Sequence, residues 1–453
     1  MSFLELDNVG ISPLVSASAL MMIFGKDPMK YRHSPAVLVL LLALTLLPAS
    51  PADVAGSGAT PVPDHITLTW TGDPATSITI SWRTDTSVTA GFVQYQPGNA
   101  IPHGAPQVKA EARDFSTDLG TSRLFSATLV NLAPNRQYSY RVGDGNRWSE
   151  MRSFSTADPK IRSFKFLVFG DSQWHLNDNP PYLPWRNTVH NAYNANPDAR
   201  FMINVGDLVD WGQRGAHWNA WFAAAKGVID RIPIMPASGN HESYGSRDTM
   251  RPKFWTEQFT LPRNGPDGHS NVYSFDYGPL HVVVLDSQQE EQKQYGDILK
   301  PQVEWLEADL KASKATWKIA VFHRPPYGVH IKRNEKEIRE AFCPVLEKYG
   351  VDIVFGAHDH GIARTYPVRN GARMQRTSEG TIYYVVGHSG GKVYKDIEKK
   401  ELHAFFHNPV DHPNYLVVNV GEKQMTVRVM KQDGTLIDTF SVDKKKRSRP
   451  TDY

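Results

Sequence analysis

The residues of this chain best suited to chemistry are Asp171, Asp207, Asn240, His241, His323, His358 and His360, and they follow short apolar runs. The runs cover residues 164–170, 201–205, 232–236, 318–322 and 351–355, with a sixth, 281–285, ending at Asp286. Carboxylate, amide and imidazole groups are ligands for hard and borderline metals, and strand ends are where open α/β sheets bind ligands. A lone Gly-Asp is ordinarily a turn, and a lone His is ordinarily a packed or surface residue. Six runs in series instead suggest a sheet whose strands all deliver polar side chains to one rim.

A mixed oxygen and nitrogen set of this size exceeds what one tetrahedral zinc requires, so two metals are the economical answer. With Asp207 as the bridge, one ion takes Asp171 and His360 and the other takes Asn240, His323 and His358, each keeping an open position. Glycines precede Asp171, Asp207 and Asn240, as expected of tight turns that let the backbone approach an ion.

Such residues need a large scaffold, and 453 residues with 40% hydrophobic content and 33 glycines supply one. Lys+Arg of 50 against Asp+Glu of 47 leaves +3, too small and dispersed to argue for nucleic acid as a structural partner. Residues 1–55 read as a leader. Lys26, Lys30 and Arg32 precede an apolar stretch at 36–47, and small residues suited to cleavage near Ala52 follow. That layout implies a secreted or periplasmic protein with no membrane attachment once the signal is removed; an uncleaved anchor is the alternative. Cys343 is the single cysteine, expected as a small core residue on a helix. The basic residues 444–453 read as a solvated tail.

Residues 62–157 alternate short β runs with Gly, Pro, Asn and Asp turns, which predicts an all-β sandwich. Residues 162–443 alternate strands with helical periodicity at 185–196, 218–231, 302–313 and 335–349, which predicts a layered α/β domain. In the third helix, Trp305, Leu306 and Leu310 are expected inside, with Glu304, Glu307 and Asp309 facing water.

In order, Gly170-Asp171, Gly206-Asp207-Leu208-Val209-Asp210, Gly239-Asn240-His241-Glu242, His323 and His358-Asp359-His360 resemble the five blocks of the calcineurin-like metallophosphoesterases. His323-Arg324-Pro325-Pro326-Tyr327 and the stretch from Ala357 to Val368 resemble the purple acid phosphatase branch. Leu132-Ala133-Pro134 followed by Tyr138-Ser139-Tyr140 is similar to the tyrosine corner of fibronectin type III domains, also typical of that branch. The resemblance implies a four-layer α/β/β/α sandwich behind a fibronectin-like module. Two departures stand out. Asp210 occupies the place of the metal-binding tyrosine that colours purple enzymes, and Gln173 stands where many relatives have a ligating His, open between ligation and simple hydrogen bonding.

The resemblance implies a dinuclear iron, manganese or zinc enzyme hydrolysing a small phosphate ester by attack of a metal-bound hydroxide. A phosphomonoesterase of the acid phosphatase kind is expected; alternatives are a phosphodiesterase or nucleotide hydrolase on the same site, or a non-catalytic extracellular binding protein. His241 is expected to protonate the leaving oxygen or hold the phosphate, or else to brace Asp207 or Asp171. Arg364 and Arg324 are candidates for phosphate contact or for structural ion pairs. Asp210, Glu242 and Asp359 are expected to support ligands or substrate. Oligomeric state leaves no trace in the sequence.

Overall fold

The computed structural model describes residues 58–175, 181–245, 251–266 and 271–444. The expected leader lies outside the described residues, as does the basic tail beyond Lys444. Among the described residues, no helix is long and apolar enough to cross a membrane.

Two four-stranded antiparallel sheets form the N-terminal sandwich. One joins β1 (Asp64–Thr69), β2 (Ile78–Asp85), β6 (Gly120–Leu129) and β5 (Glu111–Thr117); the other joins β4 (Gln107–Lys109), β3 (Phe92–Pro97), β7 (Gln137–Gly143) and β8 (Arg152–Ser155). Alternating apolar residues from both sheets, among them Ile78, Ile80, Trp82, Val93, Tyr140 and Val142, fill the space between them. At the expected corner, the backbone N–H of Ala133 donates to the Tyr138 hydroxyl at 2.8 Å, pinning the turn.

The second part is a mixed α/β structure with two central sheets. The six runs that looked like one sheet are divided between them. Three strands, β9 (Phe164–Phe169), β10 (Met202–Asn204) and β11 (Ile234–Pro236), pair in parallel and are extended by the antiparallel β21 (Asn414–Val420), β22 (Gln424–Lys431) and β23 (Leu436–Asp443). Three more, β13 (Leu280–Val284), β14 (Trp317–Val321) and β15 (Ile353–Gly356), are parallel members of a seven-stranded sheet, flanked by β12 (Tyr273–Tyr277) and by β19 (Ile382–Val386), β16 (Ile362–Thr365) and β20 (His403–His407).

Strand alternation explains the layering, because successive side chains point to opposite faces. Ile319, Val321, Ile353 and Phe355 share a core with Phe166 and Val168 of the other sheet. Their neighbours Ala320, Phe322 and Val354 join Leu306, Leu310, Phe342 and Leu346 from the helices Leu299–Ala312 and Lys336–Lys348. On the far side, the helices Leu183–Ala195 and Gly215–Ala225 cover the first sheet through Trp185, which meets Phe169 edge-on and stacks on Trp221 at 5.5 Å. Four layers result: helices, sheet, sheet, helices.

Three local expectations are amended. Asp309 does not simply face water, because it accepts from His281 Nε2 at 2.7 Å and from the Ser274 hydroxyl at 2.8 Å. Trp305 is only partly buried, its ring nitrogen donating to the Asn264 carbonyl at 2.5 Å. Lys444 is no free tail residue, since its ammonium lies 2.6 Å from both Asp352 carboxylate oxygens. Cys343 is buried on its helix, and burial pushes its thiol up to about 12.

Candidate metal centre

Four of the parallel strands, β9, β10, β14 and β15, are followed by turns that bring Asp171, Asp207, His323, and His358 with His360 together. Asp171, Asp207, His358 and His360 all have left-handed backbones, with φ of 46°, 53°, 68° and 54°. L-residues adopt that region at a cost of order 1–3 kcal/mol each, so the surrounding structure must enforce it. Four of the ten non-glycine residues with positive φ among those described fall here. Gly206 (φ 93°) and Gly239 let two turns touch: a Cβ on Gly239 would collide with the backbone and carboxylate of Asp207.

The side chains converge in two groups. Asp207, His323 and His358 bring ligand atoms within 4.8 Å of one another, and so do Asp171, Asp207 and His360. All five are nearly completely buried. Asp207 belongs to both groups, as a bridge would.

Their hydrogen bonds fix how the rings point. His323 Nδ1 donates to the Val205 carbonyl at 2.9 Å, so its Nε2 lone pair faces Asp207 Oδ2 at 3.2 Å, Asn240 Oδ1 at 3.2 Å and His358 Nδ1 at 3.1 Å. His360 Nδ1 donates to the Lys392 carbonyl at 2.6 Å, so its Nε2 faces Asp171 Oδ1 at 3.3 Å and has no hydrogen-bond partner. Acceptor atoms held together in a buried space need a cation between them. Gln173 adds to this: its amide nitrogen donates to Asp207 Oδ2 at 3.2 Å, while its buried Oε1 has no partner. The donor set therefore fits metal ions, with Gln173 beside the Asp171 group.

Electrostatics agree. Burial works against charge at Asp207, yet the neighbouring His323 and His241 hold its carboxyl well below the usual range. Burial likewise opposes charge on His323, but the carboxylate of Asp207 raises it to about 9. His358 is driven the other way by burial and by the guanidinium groups of Arg333 and Arg324.

The supporting residues divide by what they touch. Glu242 is fully buried, and its carboxylate accepts from the backbone N–H groups of Asp207, Leu208 and Gly239 at 2.6–2.9 Å. Burial and the charge of Asp207 push its carboxyl up to about 8. Asp359 Oδ2 accepts from the backbone of Val329 and His330, and its Oδ1 pairs with Arg333 at 3.0 Å. Asp210 accepts from the Trp174 N–H at 2.8 Å and from the Tyr182 hydroxyl at 3.1 Å. Arg324 is held by Glu291 (2.7 Å), Glu335 (3.3 Å) and Glu290 (3.4 Å), which makes it an ion-pair partner rather than a free phosphate ligand. Asp286 stands apart, bound by Gln292, Asn271 and the Gln288 N–H.

Two expectations change. Arg364 does not reach the centre: its guanidinium pairs with Asp438 at 3.2 Å and lies 4.0 Å over the Phe440 ring, because on β16 it faces β23. His241 has neither ring nitrogen free. Its Nδ1 donates to the Asp210 carbonyl at 2.7 Å, and its Nε2 sits 2.9 Å from Lys392 Nζ.

Above the centre lies a cavity of about 450 Å³, lined by Asp207, Asn240, His241, Tyr244, His358 and, farther out, Glu290, Glu335, Lys332, Arg333 and Tyr394. Lys392, Arg333 and the three glutamates escaped the sequence reading. They come from connecting segments with no periodic pattern, and only their types hinted at a role.

Comparison with known proteins agrees with this geometry. Residues 63–156 match the purple acid phosphatase N-terminal domain, and residues 164–361 match the calcineurin-like phosphoesterase domain. Acid phosphatase type 7 of Mus musculus is 30% identical over 355 residues, covering 72% of this chain and 76% of the relative. Purple acid phosphatase 15 of Arabidopsis thaliana is 25% identical, covering 60% of this chain and 54% of that one. The structure of a purple acid phosphatase from yellow lupin (Lupinus luteus) seeds has the same fold, with a TM-score of 0.70 at 20% identity over 84% of this chain and 74% of the lupin chain. The chain belongs to the purple acid phosphatase branch of the calcineurin-like phosphoesterases, metal-dependent hydrolases of phosphate esters, and lacks the branch's metal-binding tyrosine.

Proposed function

We propose that this protein is an exported acid-phosphatase-like phosphomonoesterase working with two metal ions, iron, manganese or zinc. The observation that carries the reading is Asp207, shared by two groups of buried ligand atoms whose lone pairs face one another. Asp171, Gln173, His360 and Asp207 would hold one ion, and Asp207, Asn240, His323 and His358 the other. Bound there, the ions would lower the pKa of a coordinated water and offset charge developing on the phosphoryl oxygens. The chain's own residues supply placement. Val205 and Lys392 carbonyls set the tautomers of His323 and His360, Glu242 clamps the turns of Asp207 and Gly239, and Asp359 ties His358 and His360 to the segment around His330.

The reading includes a sandwich of residues 62–157, a phosphoesterase domain of residues 162–443 and a signal peptide ahead of them. It also implies that the mature protein acts away from a membrane on a small phosphate ester. The test is turnover of an aryl phosphate and a bis-aryl phosphate diester by purified protein, before and after chelation, with metal content measured in parallel. Monoester turnover that disappears with the metal is expected. Faster diester turnover points to the diesterase alternative, and no metal-dependent turnover on a broad ester panel points to a binding protein.

A further inference from the structure

The segment from His388 to Lys392 lies against the turn that carries Asp171. Ser389, Gly390 and Gly391 donate backbone N–H groups to the carbonyls of Gly170 (2.7 Å), Asp171 (3.0 Å) and Gln173 (3.0 Å). The approach is so close that a Cβ on Gly390 would collide with the Gln173 carbonyl, and one on Gly391 would come within 2.8 Å of the Trp174 carbonyl. Two glycines are thus needed before Lys392, and they deliver it beside His241 and His360 as a residue only 7% exposed. Its carbonyl accepts from His360 Nδ1, and its ammonium donates to His241 Nε2 at 2.9 Å.

Charge pairing separates Lys392 from the other cations nearby. Arg324 is held by three glutamates, Arg333 by Asp359 and Arg364 by Asp438. Lys332 is exposed at the rim. Among these described cations, Lys392, which sits behind the cavity-lining His241 and Tyr394, is the buried one with no carboxylate within 4 Å. A buried ammonium without a counter-ion is costly, unless an anion completes its shell during function. The Asp210 carbonyl can only accept, so His241 Nδ1 carries the proton and Nε2 accepts from Lys392. That uses one of the three ammonium protons, while Nζ sits 5.4 Å from the centre of the Tyr394 ring, which with His241 lines the cavity.

We propose that Lys392 is the phosphate-holding cation of this site, with His241 as the residue that positions it. The sequence alone suggested that role for Arg364, Arg324 or His241. The inference rests on the phosphoesterase reading only for the identity of the anion, so binding is measured separately from turnover. Inorganic phosphate is titrated calorimetrically into metal-loaded wild type, Lys392→Met, Lys392→Arg and His241→Asn, with metal content assayed in each. A charge-assisted hydrogen bond lost from a buried site predicts phosphate binding about 10- to 100-fold weaker in Lys392→Met. Partial recovery is expected in Lys392→Arg, and a loss in His241→Asn that does not add to that of Lys392→Met. Wild-type phosphate affinity in Lys392→Met overturns the proposal. So does metal loss in proportion to phosphate loss, which would make Lys392 a support for His360. Wild type that binds phosphate without hydrolysing an ester refutes the enzymatic reading and leaves this one standing.

Discussion

Asp207 sits at the junction of both ligand groups, so its removal tests the centre most directly. Asp207→Ala is expected to lower turnover by about three orders of magnitude, since several kcal/mol of transition-state charge stabilisation depend on the ions it would hold. Metal analysis and circular dichroism should show less metal in a folded protein; retained turnover refutes the ligand assignment. A second residue-scale prediction concerns colour. Asp210 stands in the place of the metal-binding tyrosine, and the phenol beside it, Tyr182, donates to Asp210 and is held well above its usual range by burial and by that carboxylate. Tyr244, at the cavity wall, is raised by burial to about 12. The Tyr182 hydroxyl is engaged with Asp210 and the Tyr244 hydroxyl with the Asn240 amide, so iron-loaded protein should show no tyrosinate charge-transfer band in its visible spectrum. The ligand-type residues were legible because each follows an apolar strand. Lys392 was not, because close backbone contact between distant segments, rather than any local pattern, puts it in place.

At the scale of elements, the turns after the strands carry the strain, and Glu242 holds them. Glu242→Ala would remove the acceptor from three buried backbone N–H groups in the turns of Asp207 and Gly239. A buried donor left without a partner costs roughly 1–3 kcal/mol, so a loss of at least about 3 kcal/mol in unfolding free energy is expected by denaturant titration. An unchanged midpoint would show that the turns hold themselves. Farther away, His281 on β13 bonds Asp276 and Asp309 at 2.7 Å each. Burial alone would lower it, but the two carboxylates raise it to about 9. A group whose folded pKa lies above its unfolded value stabilises the fold fully below the unfolded value near 6.5, and that contribution fades as pH rises through about 9. Melting temperature should therefore fall between pH 6.5 and 9 in wild type and be flatter in His281→Gln; parallel profiles refute the pairing. The helical period at 302–313 was readable, whereas Asp309 as an acceptor for His281 was not, since the partner comes from another strand.

At the scale of the molecule, the sandwich and the phosphoesterase part share one core. Trp70, at the end of β1, packs at 5.4–5.9 Å from Phe201, Phe275 and Tyr277, and Tyr140 donates to the Asp230 carbonyl at 2.8 Å. Arg152 binds the Asp230 carboxylate at 2.7 Å. Trp70→Ala is expected to cost about 3–5 kcal/mol of stability by opening a cavity, without changing turnover at temperatures where the protein stays folded. A changed turnover number would mean that the sandwich also shapes the site. By itself the sequence determined the two architectures, the order of the strands and the chemical kind of the centre, because strand period, turn glycines and ligand types are local properties. Only the tertiary structure decided that the strands belong to two sheets, that Arg364 turns away toward Asp438, and that Lys392 meets His241. Which face of a sheet meets which loop depends on packing between segments far apart in the chain, and no local pattern encodes it.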